Sequence, residues 1–550
     1  MLNSSTPKFP SASKVNSKPQ TPPVTSAPVA RLVRAGNAFL ATLALAFVLP
    51  LAPALPAAEA APTVRYEILA PAAGPVVTFP AGKRVPAGWP AFAVGPTPTL
   101  LRLAASSDSA HATAGPASFR LTTALDDRSP RLIEVALVGV GAEVRVLGRL
   151  DLRYAHAIET FPFALSAADA TAARARGLTL RLIGAGAPLW FFGGNITPTV
   201  TVSSTSPASV VPAEFQPHLM TAPADVDRVA EFHRRFASLA SVQTFGWMQG
   251  CVFEGLRALA ERHPAGPYAA ARAQHWQLFV PQRDQLIYED PRSGPVDGRI
   301  YGIEGALPFA DLARFDPSSP HLDLFVAFAR KHARPDGAIQ DGATLSAEGS
   351  YTIAYPLAVI AAQRRDPALA DLARTQLRLR NERLWHDGAL WLRRSDTNTH
   401  TFRGWARGVA WHALGVARCI EPLRQSGDAA VAEAELRRIA AWVLPLQRPD
   451  GLWSCFLEDP ATAVPDTSGS AGIAAALACG ARLGVLDPAA AAASRRALTG
   501  VRVHLTPDGL LGGAAQSNRG GEALQRSDYR VLAQMGMGLL AQLDAEIASP

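Results

Sequence analysis

The sequence predicts an antiparallel β-sandwich followed by an all-α ring of helical hairpins, an (α/α)6 toroid. Three observations carry this. From Val64 to about Ser203 apolar and polar residues alternate with period two in short runs broken by Gly and Pro. Beyond Ala222 the apolar residues recur at i, i+3, i+4 and i+7 in long Ala/Leu/Arg stretches. Within that second region an Asp-Gly turn recurs at Asp336, Asp387, Asp450 and Asp508, at spacings of 51, 63 and 58 residues. With 550 residues, 48% hydrophobic and 18% charged, the chain is long enough for more than one domain and apolar enough for large cores.

Residues 1–60 read as an export leader. Lys8, Lys14, Lys18, Arg31 and Arg34 precede the apolar run "AFLATLALAFVL", and "LPAAEA" offers an Ala-x-Ala cut near Ala60. This predicts a periplasmic or extracellular protein with no stable membrane span after cleavage, an uncleaved anchor being the alternative. Losing the five cations and Glu59 of the leader lowers the net charge from +7 to +3, so the basic balance argues for no nucleic-acid partner. Cys251, Cys419, Cys455 and Cys479 are too few for a disulfide scaffold and form no Cys-x-x-Cys pair; they are expected as buried free thiols. No zinc spacing is present, and neither a metal nor another cofactor is expected.

Residues 61–205 supply the β-sandwich through runs such as "SFRLTTAL", "RLIEVALVGV", "AEVRVLGRLDLRY" and "LTLRLIGAG". They contain no clustered set of acids, His or Arg, which predicts a supporting role without catalytic groups. Residues 206–221 read as a Ser/Pro linker. Residues 222–546 carry about eleven helical patterns with almost no strand signal between them. An antiparallel helical hairpin with its turns occupies roughly 50–60 residues, the spacing of the Asp-Gly turns. Six such hairpins make a toroid; a helical solenoid is the competing arrangement.

Polar residues that recur where an inner helix should begin are the candidates for chemistry. "QTFGWMQGCVFEGL" brings Trp247 among Gly246, Gly250 and Gly255, glycines that allow either close helix packing or close approach of a ligand. In "RIYGIEGALPFADLA", Glu304 is either a first-turn residue favoured by the helix dipole or a carboxylate pointed into a cavity. "QDGATLSAEGSYTIAYPLAVI" carries Asp341, better explained by turn duty, and then Glu348 and Tyr351, which suit an exposed inner rim. "RRSDTNTHTFRGWARGVAWHALGVA" gathers His400, Arg403, Trp405, Arg407, Trp411 and His412. Aromatic platforms beside guanidinium groups suit an acidic sugar, since the ring stacks and an Arg fork grips the carboxylate. Asp466 in "VPDTSGSAGIAAAL" reads as a helix cap. Glu304 and Glu348 are the predicted acid and base, expected to face one cavity at roughly 5–10 Å.

Several of these segments, taken in order, resemble the unsaturated uronyl hydrolases, glycoside hydrolase families 88 and 105. "GWARGVAWHALGVA" is similar to their "WARG-x-x-W" inner helix, "DTSGSAGIAAALACGARLG" to their "[ED][TS]S-[AG]-[ST]-A" helix, "WMQGCVFEGL" to their first inner helix and "AQMGMGLLAQL" to their closing helix. The resemblance spans roughly Phe232 to Leu543. It implies the toroid and removal of a terminal uronic acid, often unsaturated at C4–C5, from acidic oligosaccharides without a metal. It also implies a catalytic Asp ahead of an inner helix; here "EGSYTIAYP" fits that motif with Glu348 in place of the Asp, one residue further from Pro356. The paired His of the family is replaced by Leu392 and Arg393. A related toroidal group with an N-terminal β domain, glycoside hydrolase family 154, attacks saturated β-glucuronides, a reaction that a Glu suits. A polysaccharide lyase using Tyr351, His400 and Arg407, and a non-catalytic carbohydrate-binding toroid, are the alternatives.

Overall fold

A computed structural model describes residues 64–72, 77–104, 115–139, 144–194, 210–459 and 464–547, so the predicted leader lies outside the described residues. From Ala61 onward the chain forms one compact unit.

The alternating runs become strands β1 (Arg65–Pro71), β2 (Ala91–Val94), β3 (Thr99–Leu103), β4 (Ala117–Thr122), β5 (Pro130–Val138), β6 (Val144–Arg153), β7 (Thr160–Leu165), β8 (Leu178–Ile183), β9 (Leu189–Phe192) and β10 (His218–Thr221), with helix α1 (Ala167–Arg176) before β8. Eight of them join antiparallel in the order β6-β5-β8-β3-β1-β10-β4-β7, and β2 pairs with β9. β1 belongs to both halves of this sheet. Its residues Arg65–Ile68 pair with β10, and Leu69–Pro71 pair with β3. Inward residues of both halves, among them Leu101, Phe119, Val135, Phe161, Leu180 and Leu219, fall in one buried cluster, so alternation along each strand feeds a single core. The sheet reaches further than expected. β10 lies in the stretch read as linker, and pairing with β1 and β4 gives its four fully buried residues their hydrogen bonds and packing.

The helical region follows as α2 (Arg228–Phe236), α3 (Trp247–Arg262), α4 (Tyr268–Phe279), α5 (Pro308–Phe315), α6 (His321–His332), α7 (Tyr355–Arg364), α8 (Pro367–Arg383), α9 (Ala406–Gln425), α10 (Ala430–Val443), α11 (Thr467–Arg482), α12 (Pro488–Arg502), the short α13 (Gly521–Arg526) and α14 (Gln534–Ile547). Six of these helices pack cyclically: α3 on α5, α5 on α7, α7 on α9, α9 on α11, α11 on α14 and α14 back on α3. The flanking helices α4, α6, α8, α10 and α12 pack on α3, α5, α7, α9 and α11 respectively, and α2 on α14. Composition matches position. In α11, "TSGSAGIAAALACG" is buried on every side, as an inner helix must be, whereas α12 buries only Ala490, Ala493, Ser494, Ala497, Leu498 and Val501. All four cysteines are free and buried, as expected.

Each Asp-Gly turn follows an outer helix and opens the segment that leads to the next inner one. At Asp336, Asp450 and Asp508 the bonding is the same: the Gly N–H donates three residues back, to Arg334, Arg448 and Thr506, and those residues' N–H groups donate to Ala338, Leu452 and Leu510. Asp387-Gly388 differs, turning a β-hairpin between β12 (Trp385–His386) and β13 (Ala389–Ser395), which also pairs with β11 (Thr344–Ser346) and β14 (His400–Arg403). These strands were not expected. They are too short, and too rich in Arg and Thr, to carry a period-two apolar signal. A final pair, β15 (Ala514–Ala515) and β16 (Arg530–Val531), precedes α14.

The β region is welded to the ring. Trp89, Phe192 and Phe215 belong to the same buried cluster as the inner helices. Arg120 and Arg235 share the buried carboxylate of Asp508 at 3.1 and 3.0 Å, and Gln534 Nε2 donates to Thr160 Oγ1 at 3.1 Å. Among the described residues no helix is long and apolar enough to cross a membrane.

Candidate active site

The inner helices all begin at one end of the ring, and the segments leading into them form the rim where the candidates sit. Glu348 lies between β11 and the start of α7. The run before α7 is a π-turn, Ser350–Ala354. Pro356 explains it, because a proline without an N–H cannot make its bond to the preceding turn and the helix widens to accommodate it. Ser350 and Thr352 then fix the turn, Ser350 Oγ meeting His412 Nδ1 at 2.8 Å and Thr352 Oγ1 donating to the Glu348 carbonyl at 3.1 Å. The fully buried Arg380 pins the approach by donating to the carbonyls of Ile339 and Ser346 at 2.8 and 2.9 Å. β11 pairs Ser346 with Arg393, which brings Arg393 Nη2 to 3.9 Å from Glu348 Oε1.

Glu304 arrives from a one-turn 3-10 segment, Ile303–Gly305, just before α5. The backbone of Gly246, at φ 117°, passes so close that a Cβ there would sit 2.7 Å from Tyr301 Oη and 2.8 Å from the Glu304 carbonyl, so only glycine fits. Burial pushes the Glu304 carboxyl up to about 7, and the charge of Glu348 pushes it in the same direction. Burial raises Glu348 too, while Arg393, the nearest cation, holds it down. The two glutamates therefore stand close enough to feel one another, with different environments. Tyr301 Oη and Arg519 Nη1 are buried and have no hydrogen-bond partner among the described residues. The charge of Arg519 bears on both Glu304 and Tyr301.

An aromatic wall adjoins the acids. Trp247 meets Trp411 edge to face with centroids 5.4 Å apart, and Tyr351 lies parallel to Trp411 at 6.3 Å. Tyr351 is itself fully buried and donates to Gln542 Oε1 at 3.0 Å. Trp247 also lines a cavity of about 30 Å³ with Arg407, Gln516, Gln534 and, from the β region, His156 and Glu159. The loop between β6 and β7 enters the rim because Glu159 accepts from the His156 N–H at 2.9 Å and from Gln516 Nε2 at 2.8 Å, which ties it to the last rim segment.

Other predicted contacts sit elsewhere, each for a physical reason. Arg407 does not offer a free fork: Nη1 and Nη2 both donate at 2.6 Å to the carbonyls of Ala515 and Gln516, and the guanidinium rests 4.7 Å above Trp405, which is 2% exposed. His412 is fully buried behind the rim, bridging Ser350 and Glu435 Oε1, the latter at 3.0 Å. His400 pairs with Arg394 in the hairpin, on the face opposite Arg393, and stacks on His386 at 4.6 Å. Arg403 pairs with Glu458 at 2.5 Å. The residues that sequence reasoning missed are Tyr301, Arg393, Arg519, His156 and Glu159. Of these only Arg393 carried a signal, as the residue standing where the family's paired His is absent.

Residues 360–548, about a third of the chain, match the family described as Glycosyl Hydrolase Family 88. No curated protein matches in sequence. Among solved structures, one described as a possible GH105 member from Salmonella enterica serovar Paratyphi A is similar at 16% identity and a TM-score of 0.50, over 63% of this chain and 98% of that one. A possible GH105 member from Klebsiella pneumoniae gives the same four values. The unsaturated glucuronyl hydrolase of Bacillus sp. GL1 is more distant, at 16% identity and a TM-score of 0.44 over 58% of this chain and 94% of that one. The chain is thus similar in sequence to Glycosyl Hydrolase Family 88 over residues 360–548, and it shares its fold with the two structures described as possible GH105 members.

Proposed function

We propose that the cyclic helices are an (α/α)6 toroid and that this rim releases a terminal uronic acid, saturated or unsaturated, from acidic oligosaccharides or polysaccharides outside the cytoplasm. The observation that carries the reading is the pair Glu304 and Glu348, two carboxyls at one rim, both raised by burial, of which Glu348 has the Arg393 guanidinium at 3.9 Å. Glu304, raised to about 7 by burial and by its neighbour's charge, holds a proton at neutral pH and serves as general acid toward the leaving-group oxygen. Glu348, beside Arg393, is the carboxylate that directs water or attacks the anomeric carbon. The Trp247 and Trp411 rings offer an apolar surface for a sugar face. Export rests on the basic and apolar pattern of residues 1–60.

The test is turnover of matched saturated and unsaturated uronides by the full chain and by Glu348→Gln, followed through ultraviolet absorbance of the C4–C5 double bond. Loss of absorbance marks unsaturated-uronide hydrolysis, and sugar release without an absorbance change marks a saturated glucuronidase. A rise in absorbance would mark a lyase and end this reading, as would a Glu348→Gln variant with normal turnover.

A further inference from the structure

The loop joining β6 to β7 is unlike any other part of the β region. It runs Tyr154–Glu159, and two of its non-glycine residues adopt the left-handed backbone conformation, Tyr154 at φ 55° and Ile158 at φ 62°. A β-branched residue in that conformation is strained, and strain of this kind persists only where the surroundings hold it. Here they do. Thr123 N–H donates to the Glu159 carbonyl and Ile158 N–H to the Thr123 carbonyl, while Glu159 Oε2 takes the His156 N–H and Oε1 takes Gln516 Nε2. What the strained loop achieves is the placement of one side chain: the His156 imidazole meets Trp247 edge to face, centroids 6.2 Å apart, and both line the same small cavity.

Arg519 connects this cavity with the acid pair. Its positive charge acts on His156 and Glu159 on one side and on Glu304 and Tyr301 on the other. It has no carboxylate partner of its own: its hydrogen bonds are Nη2 to the Pro291 carbonyl at 3.4 Å and its backbone N–H to Ser517 Oγ at 3.3 Å. Its Nη1 and Tyr301 Oη are buried donors left without acceptors, and such groups are stable only if something else satisfies them. Arg407, another nearby guanidinium, is already occupied by two carbonyls, and Arg128 by Asp126 and the Pro291 carbonyl.

We propose that Arg519 and Tyr301 of the ring, with His156 of the β region and the Trp247 ring, form the subsite that holds the uronate unit, so that the β domain is a wall of the substrate site. A carboxylate supplies the acceptors that Arg519 Nη1 and Tyr301 Oη lack, the Trp247 face takes the apolar side of the pyranose, and the imidazole meets a sugar hydroxyl. Burial and the nearby cations hold His156 well below the usual imidazole range, so it acts there as a neutral hydrogen-bonding group.

This rests on the uronidase reading above, and the experiment keeps the two apart. Binding is measured by calorimetry in the full chain carrying Glu348→Gln, which removes turnover, with a disaccharide ending in glucuronic acid and with its carboxyl-reduced counterpart. Adding Arg519→Gln is expected to weaken the acidic probe by about tenfold or more and the reduced probe by less than about twofold, with Arg519→Lys intermediate because a point charge replaces a fork. Adding His156→Ala is expected to weaken both probes by about three- to tenfold, and His156→Gln, which keeps a hydrogen-bonding group, by less. Thermal midpoints within a few degrees of the parent show that the loop still folds; His156→Gln and Arg519→Lys serve where the larger truncations do not. Equal binding of both probes by the parent, or binding within twofold of the parent in both the His156 and Arg519 variants, overturns the subsite. Normal turnover by Glu348→Gln overturns the acid pair while leaving the binding result to stand on its own.

Discussion

The two ends of the helical ring both hold buried charge, and they hold it in opposite ways. At the end where the inner helices finish, Arg257, Arg314, Arg418 and Arg482 line an open cavity of about 630 Å³ with Glu261 and Glu546. There each acid has a cation beside it, although Glu254 Oε1 and Arg418 Nε have no hydrogen-bond partner among the described residues. Arg257 binds Glu254 and Glu261 at 2.9 and 2.7 Å, Arg418 and Arg482 grip Glu546 at 2.6 and 2.7 Å, and Tyr355 Oη donates to Glu254 at 2.7 Å. Burial alone would raise Glu254, but Arg257, Arg314, Arg418 and the Tyr355 hydrogen bond hold it down to about 2. At the other end Glu304 and Glu348 repel one another, and Arg519 and Tyr301 keep unpaired donors. Matched charge of the first kind is what holds a ring together. Mismatched charge of the second kind destabilises the fold and is retained where a ligand or a proton transfer uses it.

Glutamine substitution at each end should separate the two roles most sharply. Glu254→Gln takes from the buried Arg257 its buried carboxylate, leaving it only the largely exposed Glu261, and should lower stability by about 3 kcal/mol in urea unfolding. Glu348→Gln should cut turnover by at least about 10²-fold while shifting the unfolding midpoint little, because among the described residues its one close charge contact is the 3.9 Å approach of Arg393. A Glu348 variant that unfolds early, or a Glu254 variant that stays stable but is inactive, would reverse the assignment.

The pH response of stability should have opposite signs at the two ends. Glu304 has a folded value of about 7 against an ordinary 4.5, so between those values the unfolded chain ionises first and stability falls as pH rises. Glu254, held at about 2, contributes stability that is present above the ordinary carboxylate range and lost as pH falls through it towards 2. Glu159 and Glu289, also at about 7, share the first window, so the readout is a difference. Glu304→Gln should flatten the decline between pH 4.5 and 7, and Glu254→Gln should flatten the acid limb. Turnover should fall as pH rises through about 7, where the general acid loses its proton.

Much of the comparison was legible in the sequence, and the parts that were not share a cause. The Asp-Gly spacing announced the hairpin repeat, and Glu304 and Glu348 stood out as acids among apolar residues and glycines at inner-helix starts. Arg407 was legible as an arginine on a buried helix, but nothing local shows that a strand more than a hundred residues later will present two carbonyls to it. His156 and Arg519 lie in loops without periodicity, and the site needs them only because the β6–β7 loop meets the last rim segment. Arg407→Lys tests this directly. A single ammonium cannot span the carbonyls of Ala515 and Gln516, so the variant should lose about 1–3 kcal/mol of stability and weaken acidic and carboxyl-reduced sugars alike. A loss confined to the acidic probe would restore Arg407 as the carboxylate fork.

The smallest effect belongs to the Asp-Gly turns, where one dipeptide serves two surroundings. Gly509 and Gly388 share the same left-handed backbone, φ 76° in each. At Gly509 a Cβ would lie 2.4 Å from the backbone nitrogen of Phe232, and the neighbouring Asp508 is 1% exposed between Arg120 and Arg235. At Gly388 a Cβ meets nothing within 4 Å, and the Asp387 side chain is 74% exposed. Only the backbone penalty therefore applies to Gly388→Ala, which should lower stability by about 1 kcal/mol. Gly509→Ala adds a backbone clash at the junction of the β region and the ring, and should lose several times as much. Thermal unfolding of the two variants side by side measures the difference. Equal losses would mean that the Asp508 junction yields without resistance, and that the β region is less firmly seated on the ring than its shared ion pairs require.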